Sequence, residues 1–143
     1  MLTYTMKYGL DQDSPARMIR TSVFMDEQGF ENEFDAQDND SYHFVFFENE
    51  VPVSCARIFK SPSKEDWMTL GRVAVLKQFR EQHYGLKMLE AIEKEAIKMQ
   101  VTGIELSAQL RVQRFYEKGG YHALGDVYMD EHCPHIHMEK ILK

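Results

Sequence analysis

The chain has 143 residues, 43% of them hydrophobic and 12% aromatic, enough for one buried core and one domain spanning 1–143. A net charge of −6 argues against a large phosphate-binding face, and so against nucleic acid as a partner. No apolar run approaches the roughly 18 residues that cross a membrane, and the opening MLTYTMKYGL lacks the basic start and long apolar stretch of a secretory signal, so a cytoplasmic protein is expected.

Leu2, Tyr4 and Met6 alternate with Thr3, Thr5 and Lys7 as in a half-buried strand that Gly9 ends. Ser14-Pro15 reads as an N-cap and first helical residue, opening a helix that carries Ile19, Val23 and Phe24 to about Glu27, with Gly29 as its stop. Residues 26–40 are acidic, with Asp26, Glu27, Glu31, Glu33, Asp35, Asp38 and Asp40, and have neither helical nor strand period. Such a run is ordinarily a solvated loop. Phe30 and Phe34 should anchor this one to the body of the protein, where it could line a pocket for an amine. Residues 42–47 and 51–59 read as a hairpin turned at Glu48-Asn49-Glu50, residues 60–66 as a loop, and residues 67–76 as a third strand of this series.

Residues 70–99 organise the rest. A β-like run feeds a polar turn, Lys77 to Tyr84, which carries Arg80 and ends at Gly85; a long amphipathic helix follows. A strand, an Arg/Gly turn and a helix start make an anion-binding device, because free backbone N–H groups point outward there and the helix dipole favours negative charge. Leu86, Leu89, Ile92, Ala96 and Met99 form the helix's apolar face, and Gly103 is expected to stop it. A short strand at 104–108, a short helix at 109–118 ended by Gly119-Gly120, and a closing hairpin of 121–129 and 135–142 complete the chain. Strands and helices alternate in an α/β (α+β) manner, which predicts a mixed central sheet flanked by helices. Cys55, inside an apolar strand, reads as a small buried hydrophobe; with Cys133 far away and no CxxC spacing, no disulfide framework is expected.

Four pieces together resemble the GCN5-related N-acetyltransferases (GNAT), in particular their ElaA-like branch. Val73-Ala74-Val75 with Arg80 to Gly85 is similar to that family's acetyl-CoA turn; Phe115-Tyr116-Glu117-Lys118-Gly119-Gly120-Tyr121 resembles its FYEKxGF segment; Val23 to Gln28 resembles the VFxxEQ start of the branch; and Pro134-His135 with Met138 resembles its closing PHxxM. The chain departs from the pattern at His83, which replaces the first Gly of the turn, and at Gln109, where many relatives carry Asn.

The resemblance implies a single GNAT-like domain with splayed central strands and acetyl-CoA as co-substrate. Val73, Ala74 and Val75 would pair with the pantetheine arm. Arg80, Glu81, Gln82, His83, Tyr84, Gly85 and Leu86 would cradle the pyrophosphate, and Gln109 would help hold the arm. Tyr116 would be the general acid for the departing thiolate; on spacing alone it reads as a packed core aromatic. Candidates for a base are Glu27, Glu33, Asp35 and His135, each with a plainer reading as a solvated acid or a satisfied strand histidine; some relatives use no dedicated base. Glu33 and Asp35 are also placed at the acceptor, since the acidic segment favours a cationic amine of a small molecule or peptide. Transfer would be direct, in a ternary complex, as neither cysteine reads as an activated nucleophile.

Two other readings stand beside this one. A protein of the same fold could bind CoA or another nucleotide without turning it over. The cluster His132-Cys133-Pro134-His135-Ile136-His137 invites a zinc reading, but residues 133, 135 and 137 alternate like one face of a strand and a fourth ligand would have to come from elsewhere, so no metal is expected. Exposed strands at the end of such folds can pair between subunits, which leaves room for a homodimer.

Overall fold

The computed structural model describes residues 1–142. Seven strands, β1 (Leu2–Tyr8), β2 (Tyr42–Glu48), β3 (Val51–Lys60), β4 (Trp67–Val75), β5 (Gly103–Gln109), β6 (His122–Asp130) and β7 (Cys133–Ile141), form a sheet of order β1-β2-β3-β4-β5-β7-β6. β1 with β2, β2 with β3, β5 with β7 and β6 with β7 are antiparallel, while β4 and β5 are parallel, so the sheet is mixed as expected. The β4–β5 ladder pairs Trp67–Leu70 with Gly103–Leu106. The helices are α1 (Pro15–Arg20), α2 (Gly85–Lys98) and α3 (Gln113–Lys118). Contacts divide the chain into two compact units: Met1–Phe59 with Gly71–Tyr84, and Lys60–Leu70 with the residues from Gly85 onward.

In the first unit, Ser14 caps α1 by accepting the Ala16 amide at 3.2 Å, with Pro15 at the first helical position. The helix runs to Glu27 as expected, but Thr21–Glu27 is wound as a π-helix. The β2–β3 hairpin turns through Asn49 and Glu50, both left-handed at φ 51° and 70°, the geometry that matches strand twist in a tight hairpin. Pro52, which has no N–H, sits where the register shifts between Phe46 and Phe47. Ala16, Ile19, Val23 and Phe24 pack with Val45, Cys55, Ala74 and Leu76 as one core, with Phe30, Phe47 and Phe79 against it. Cys55 is buried in that core as expected, and burial pushes its thiol up to about 12.

In the second unit, α2 buries Met88, Leu89, Ile92 and Ala96. Leu86, assigned to that face by spacing, is 43% exposed; Met88 takes the inward position. Gly103 is not the helix stop. Gln100 supplies the left-handed residue at φ 64°, and Gly103 opens β5, where a Cβ would stand 2.6 Å from Trp67 Cε2. The expected helix at 109–118 starts as a short 3-10 turn, Leu110–Val112, before α3, and ends on Gly120 at φ 97°. Met68, Leu70, Ile104, Leu106, Ala108, Ile136 and Met138 are the buried hydrophobic strand residues of this unit. No helix among the described residues is long and apolar enough to cross a membrane.

Candidate active site

The turn after β4 is closed by its own arginine. Leu76 donates its amide to the Val53 carbonyl at 2.9 Å, Lys77–Gln82 winds as a 3-10 helix, and Arg80 reaches back, its Nε donating to the Val75 carbonyl at 2.9 Å. The two terminal nitrogens of Arg80 donate to the two carboxylate oxygens of Glu27 at 2.6 Å each, a bidentate pair. Two residues expected at different tasks, the cofactor and the base, are thus partners of one another. Glu81, Gln82 and His83 are exposed, and Tyr84 is buried. His83 adopts the left-handed conformation, φ 59° and ψ 39°, that Gly would take at this point. Gly85 then opens α2, whose first amides have no partner within the helix. A Cβ on Gly85 would stand 2.7 Å from Phe115 Cζ, so a side chain here would displace that ring.

Phe115 and Tyr116 meet edge to face with centroids 5.0 Å apart, and Tyr116 meets Tyr121 at 5.9 Å. Tyr121 is tied down by its hydroxyl, which donates to Glu93 at 2.9 Å. The Tyr116 ring is buried, yet among the described residues its hydroxyl has no hydrogen-bond partner. Burial pushes this phenol well above its ordinary range, so the proton stays on.

β7 carries His135 opposite Gln109 of β5. His135 is 6% exposed, with Nδ1 2.9 Å from the Cys133 carbonyl oxygen. A carbonyl only accepts, so Nδ1 is the donor of this hydrogen bond and Nε2 is the ring nitrogen not engaged by it. Tyr128 of β6 stacks on the imidazole, centroids 6.1 Å apart at 26°, and its hydroxyl is hydrogen-bonded to Ser107 of β5. Gln109 Oε1 accepts from Arg111 Nε at 3.0 Å.

The acidic segment is held by arginines that its composition does not announce. Arg20 donates to Glu33 at 2.8 Å and to Asp38 at 2.8 and 3.2 Å; Arg57 bridges Asp35 at 2.8 Å and Asp38 at 2.7 Å; Arg72 pairs with Glu33 at 2.8 Å and Asp35 at 3.3 Å. Glu33 and Asp38 are buried, and the Arg20 guanidinium lies 4.6 Å from the centroid of Phe34, which anchors the loop as expected. Burial alone would raise the Asp38 carboxyl, but hydrogen bonds and charge from Arg20 and Arg57 outweigh it and hold the group at about 2. Sequence reading missed the arginines. Arg20 was detectable, since it lies three and four residues before Val23 and Phe24 on the helix's buried side; nothing in the strand VPVSCARIF set Arg57 apart.

One trio of potential metal-ligand side chains comes together among the described residues: Glu105, His137 and Glu139, their ligand atoms within 4.8 Å of one another. Only His137 belongs to the C-terminal His/Cys cluster weighed from sequence; Glu105 is brought in from β5.

The sheet, its parallel β4–β5 pair, the turn into α2 and the Tyr116 segment define an acyl-CoA-dependent transferase fold, and comparison with known proteins agrees. The model of the acetyltransferase (GNAT) domain matches residues 12–142. The uncharacterized N-acetyltransferase YjcF of Bacillus subtilis is 34% identical over 133 residues, covering 91% of this chain and 93% of that protein. The solved structure of an acyl-CoA N-acyltransferase from Pseudomonas aeruginosa superposes with a TM-score of 0.85 at 26% identity, covering 98% of this chain and 99% of the other. The chain belongs to the GNAT acetyltransferase family. Within it, Escherichia coli ElaA is similar in both sequence and structure: 29% identical over 126 residues, covering 85% of this chain and 82% of that protein, with a crystal structure at a TM-score of 0.86.

Proposed function

We propose that this protein is a cytosolic enzyme that transfers an acetyl group from acetyl-CoA to the amine of a small molecule or peptide, by direct attack in a ternary complex. The observation that carries the reading is Tyr116, inside a segment that matches the family motif: its ring is buried, while its hydroxyl stays protonated, takes no protein partner among the described residues and is not among the fully buried side-chain atoms, so it is open to a ligand. The residues proposed for the co-substrate fit a phosphorylated ligand. His83 supplies the left-handed turn that brings backbone amides around, and α2 presents unpaired amides and its positive dipole end to a pyrophosphate. Val73, Ala74 and Val75 would hold the pantetheine arm by strand pairing, with Gln109 beside it. Arg80 serves the turn by locking it to Val75 and Glu27, and Glu33 and Asp35 serve by fixing the acidic segment on its arginines.

Acetyl-CoA brings the activated acetyl group as a thioester. His135 Nε2, whose lone pair is exposed to use by the Nδ1 hydrogen bond, accepts a proton from the acceptor ammonium. The amine nitrogen bonds to the acetyl carbon as the carbon–sulfur bond breaks; Tyr116 gives its proton to the leaving sulfur, and the proton that the nitrogen releases as the amide forms restores the Tyr116 phenol. Of the base candidates, His135 is favoured because Glu27, Glu33 and Asp35 are each bound to an arginine.

Thiol release over a panel of amines, read beside calorimetric acetyl-CoA binding, tests this. Tyr116→Phe should lower turnover by about 100-fold, leave acetyl-CoA affinity within about threefold, and change stability by under about 0.5 kcal/mol because no hydrogen bond is lost. Unchanged turnover removes the acid role. Tight acetyl-CoA binding with no thiol release for any amine overturns the enzyme reading in favour of a binding module.

A further inference from the structure

The Tyr116 hydroxyl takes no protein partner among the described residues, so nothing at its tip fixes where it points. Its direction is set by what flanks the ring and by what holds the backbone behind it. One stripe of α2, spaced i, i+4 and i+8, supplies the flank. Gly85 makes room for the Phe115 ring. Leu89 meets the end of α3, where a Cβ on Gly119 would stand 2.8 Å from Leu89 Cδ1. Glu93 completes the stripe, its Oε2 accepting from the Tyr121 hydroxyl at 2.9 Å. The Tyr121 ring then meets Tyr116 edge to face, centroids 5.9 Å apart at 76°.

β7 closes the arrangement from the other side. Lys140 Nζ donates to Glu93 Oε1 at 2.8 Å and to the Gly119 carbonyl at 2.8 Å. Its stem lies over Gly120, where a Cβ would stand 3.1 Å from Lys140 Cε. Gly119 and Tyr121 both donate their amides to the Tyr116 carbonyl at 3.0 Å. The segment that carries Tyr116 is thus tied to one carboxylate of α2 and one ammonium of β7. The Lys140 and Glu93 side chains are 27% and 13% exposed. Taking such a pair out of water returns little stability over apolar residues of the same size, but its hydrogen bonds are directional and apolar contacts are not.

We propose that Glu93, Tyr121 and Lys140 are positioning residues for the acetyl transfer, a clamp from α2 and β7 that aims the Tyr116 hydroxyl at the leaving sulfur. The proposal rests on Tyr116 being the acid of the transfer. The three act through Tyr116 and not on the reacting atoms, so their loss shows in the chemical step and not in co-substrate binding.

Tyr121→Phe keeps the ring and removes its tie to Glu93. Lys140→Met keeps the stem and removes both of the ammonium's bonds. Each should lower kcat for thiol release about tenfold and leave the KM for acetyl-CoA within about twofold. The same substitutions in a Tyr116→Phe background should change kcat by less than about twofold, because the group they aim is gone. A purely structural loss would multiply in that background as it does in the wild type, and that result overturns the clamp. So does a kcat within about twofold of the wild type in both single variants. Urea unfolding checks that each variant is folded under the assay conditions; if Lys140→Met is not, Tyr121→Phe decides the test by the same outcomes. The two readings fail separately. Turnover unchanged by Tyr116→Phe removes the acid and the clamp with it; turnover that falls with Tyr116→Phe but not with Tyr121→Phe removes the clamp alone.

Discussion

His83 holds a backbone conformation that favours glycine, and a non-glycine residue there carries about 1 kcal/mol of strain. A turn keeps such strain when its geometry serves something other than stability. His83→Gly relieves the strain but gives the unfolded chain more freedom to lose, so the net change in stability should stay within about 0.5 kcal/mol. If the cradle for the pyrophosphate is made by backbone amides, acetyl-CoA affinity in the variant should remain within about threefold by calorimetry; a tenfold loss, about 1.4 kcal/mol, would make the imidazole itself a ligand contact. At this scale the sequence was informative where a residue type is rare for its conformation, as at His83. It was silent where a role depends on a partner far along the chain. The acidic run 26–40 reads as solvent-facing until Arg20, Arg57 and Arg72 are placed beside it.

Between elements, small residues mark close approach, and their meaning depends on which neighbour arrives. Gly85 looked like the end of a phosphate turn; it is also the point where α2 passes against the Phe115 ring. Gly85→Ala should push that ring aside at a cost of about 1–2 kcal/mol, measured by urea unfolding, and disturb Tyr116 next to it. Trimming the ring should make room: Gly85→Ala with Phe115→Leu should lose less stability than the sum of the two single variants, a coupling that additive losses would refute. Gly103 was misread for the same reason. Its spacing fits a helix stop, but the space it vacates is filled by Trp67, and Gln100 ends the helix instead. The alternation and turn chemistry of 42–59, and the strand–turn–helix of 67–98, were legible because those signals are local. Leu86 and Met88 exchanged places because both fit a helical stripe, and only packing chooses between them.

Over the whole molecule, a net charge of −6 conceals buried charges that are matched locally. Arg20, Arg57 and Arg72 face Glu33, Asp35 and Asp38 in one network of the first unit. Such a network adds little over an apolar core, but removing one member leaves a buried charge without a partner. Each acid is bound by two arginines; Asp38, between Arg20 and Arg57, is held at about 2 against an ordinary 3.8. A folded-state pKa below the unfolded one gives stability that is complete above about pH 4 and drains away as the pH falls toward 2. The difference corresponds to about 2 kcal/mol. His43 acts with the same sign at higher pH. Burial lowers its pKa, while Nε2 donates to the Asp38 carbonyl at 2.9 Å, so the folded state favours the neutral ring and resists protonation as the pH falls below the ordinary 6.5. Urea unfolding at pH 7, 5, 4 and 3 should therefore show stability declining on acidification, with the steepest part of the Asp38 contribution below pH 4. Asp38→Asn should be less stable than the wild type by about 3 kcal/mol at pH 7 and should lose the decline that Asp38 causes, so the two curves converge as the pH falls. Parallel curves would mean that other carboxylates carry the acid sensitivity and that Asp38 is held no more tightly in the fold than in the unfolded chain.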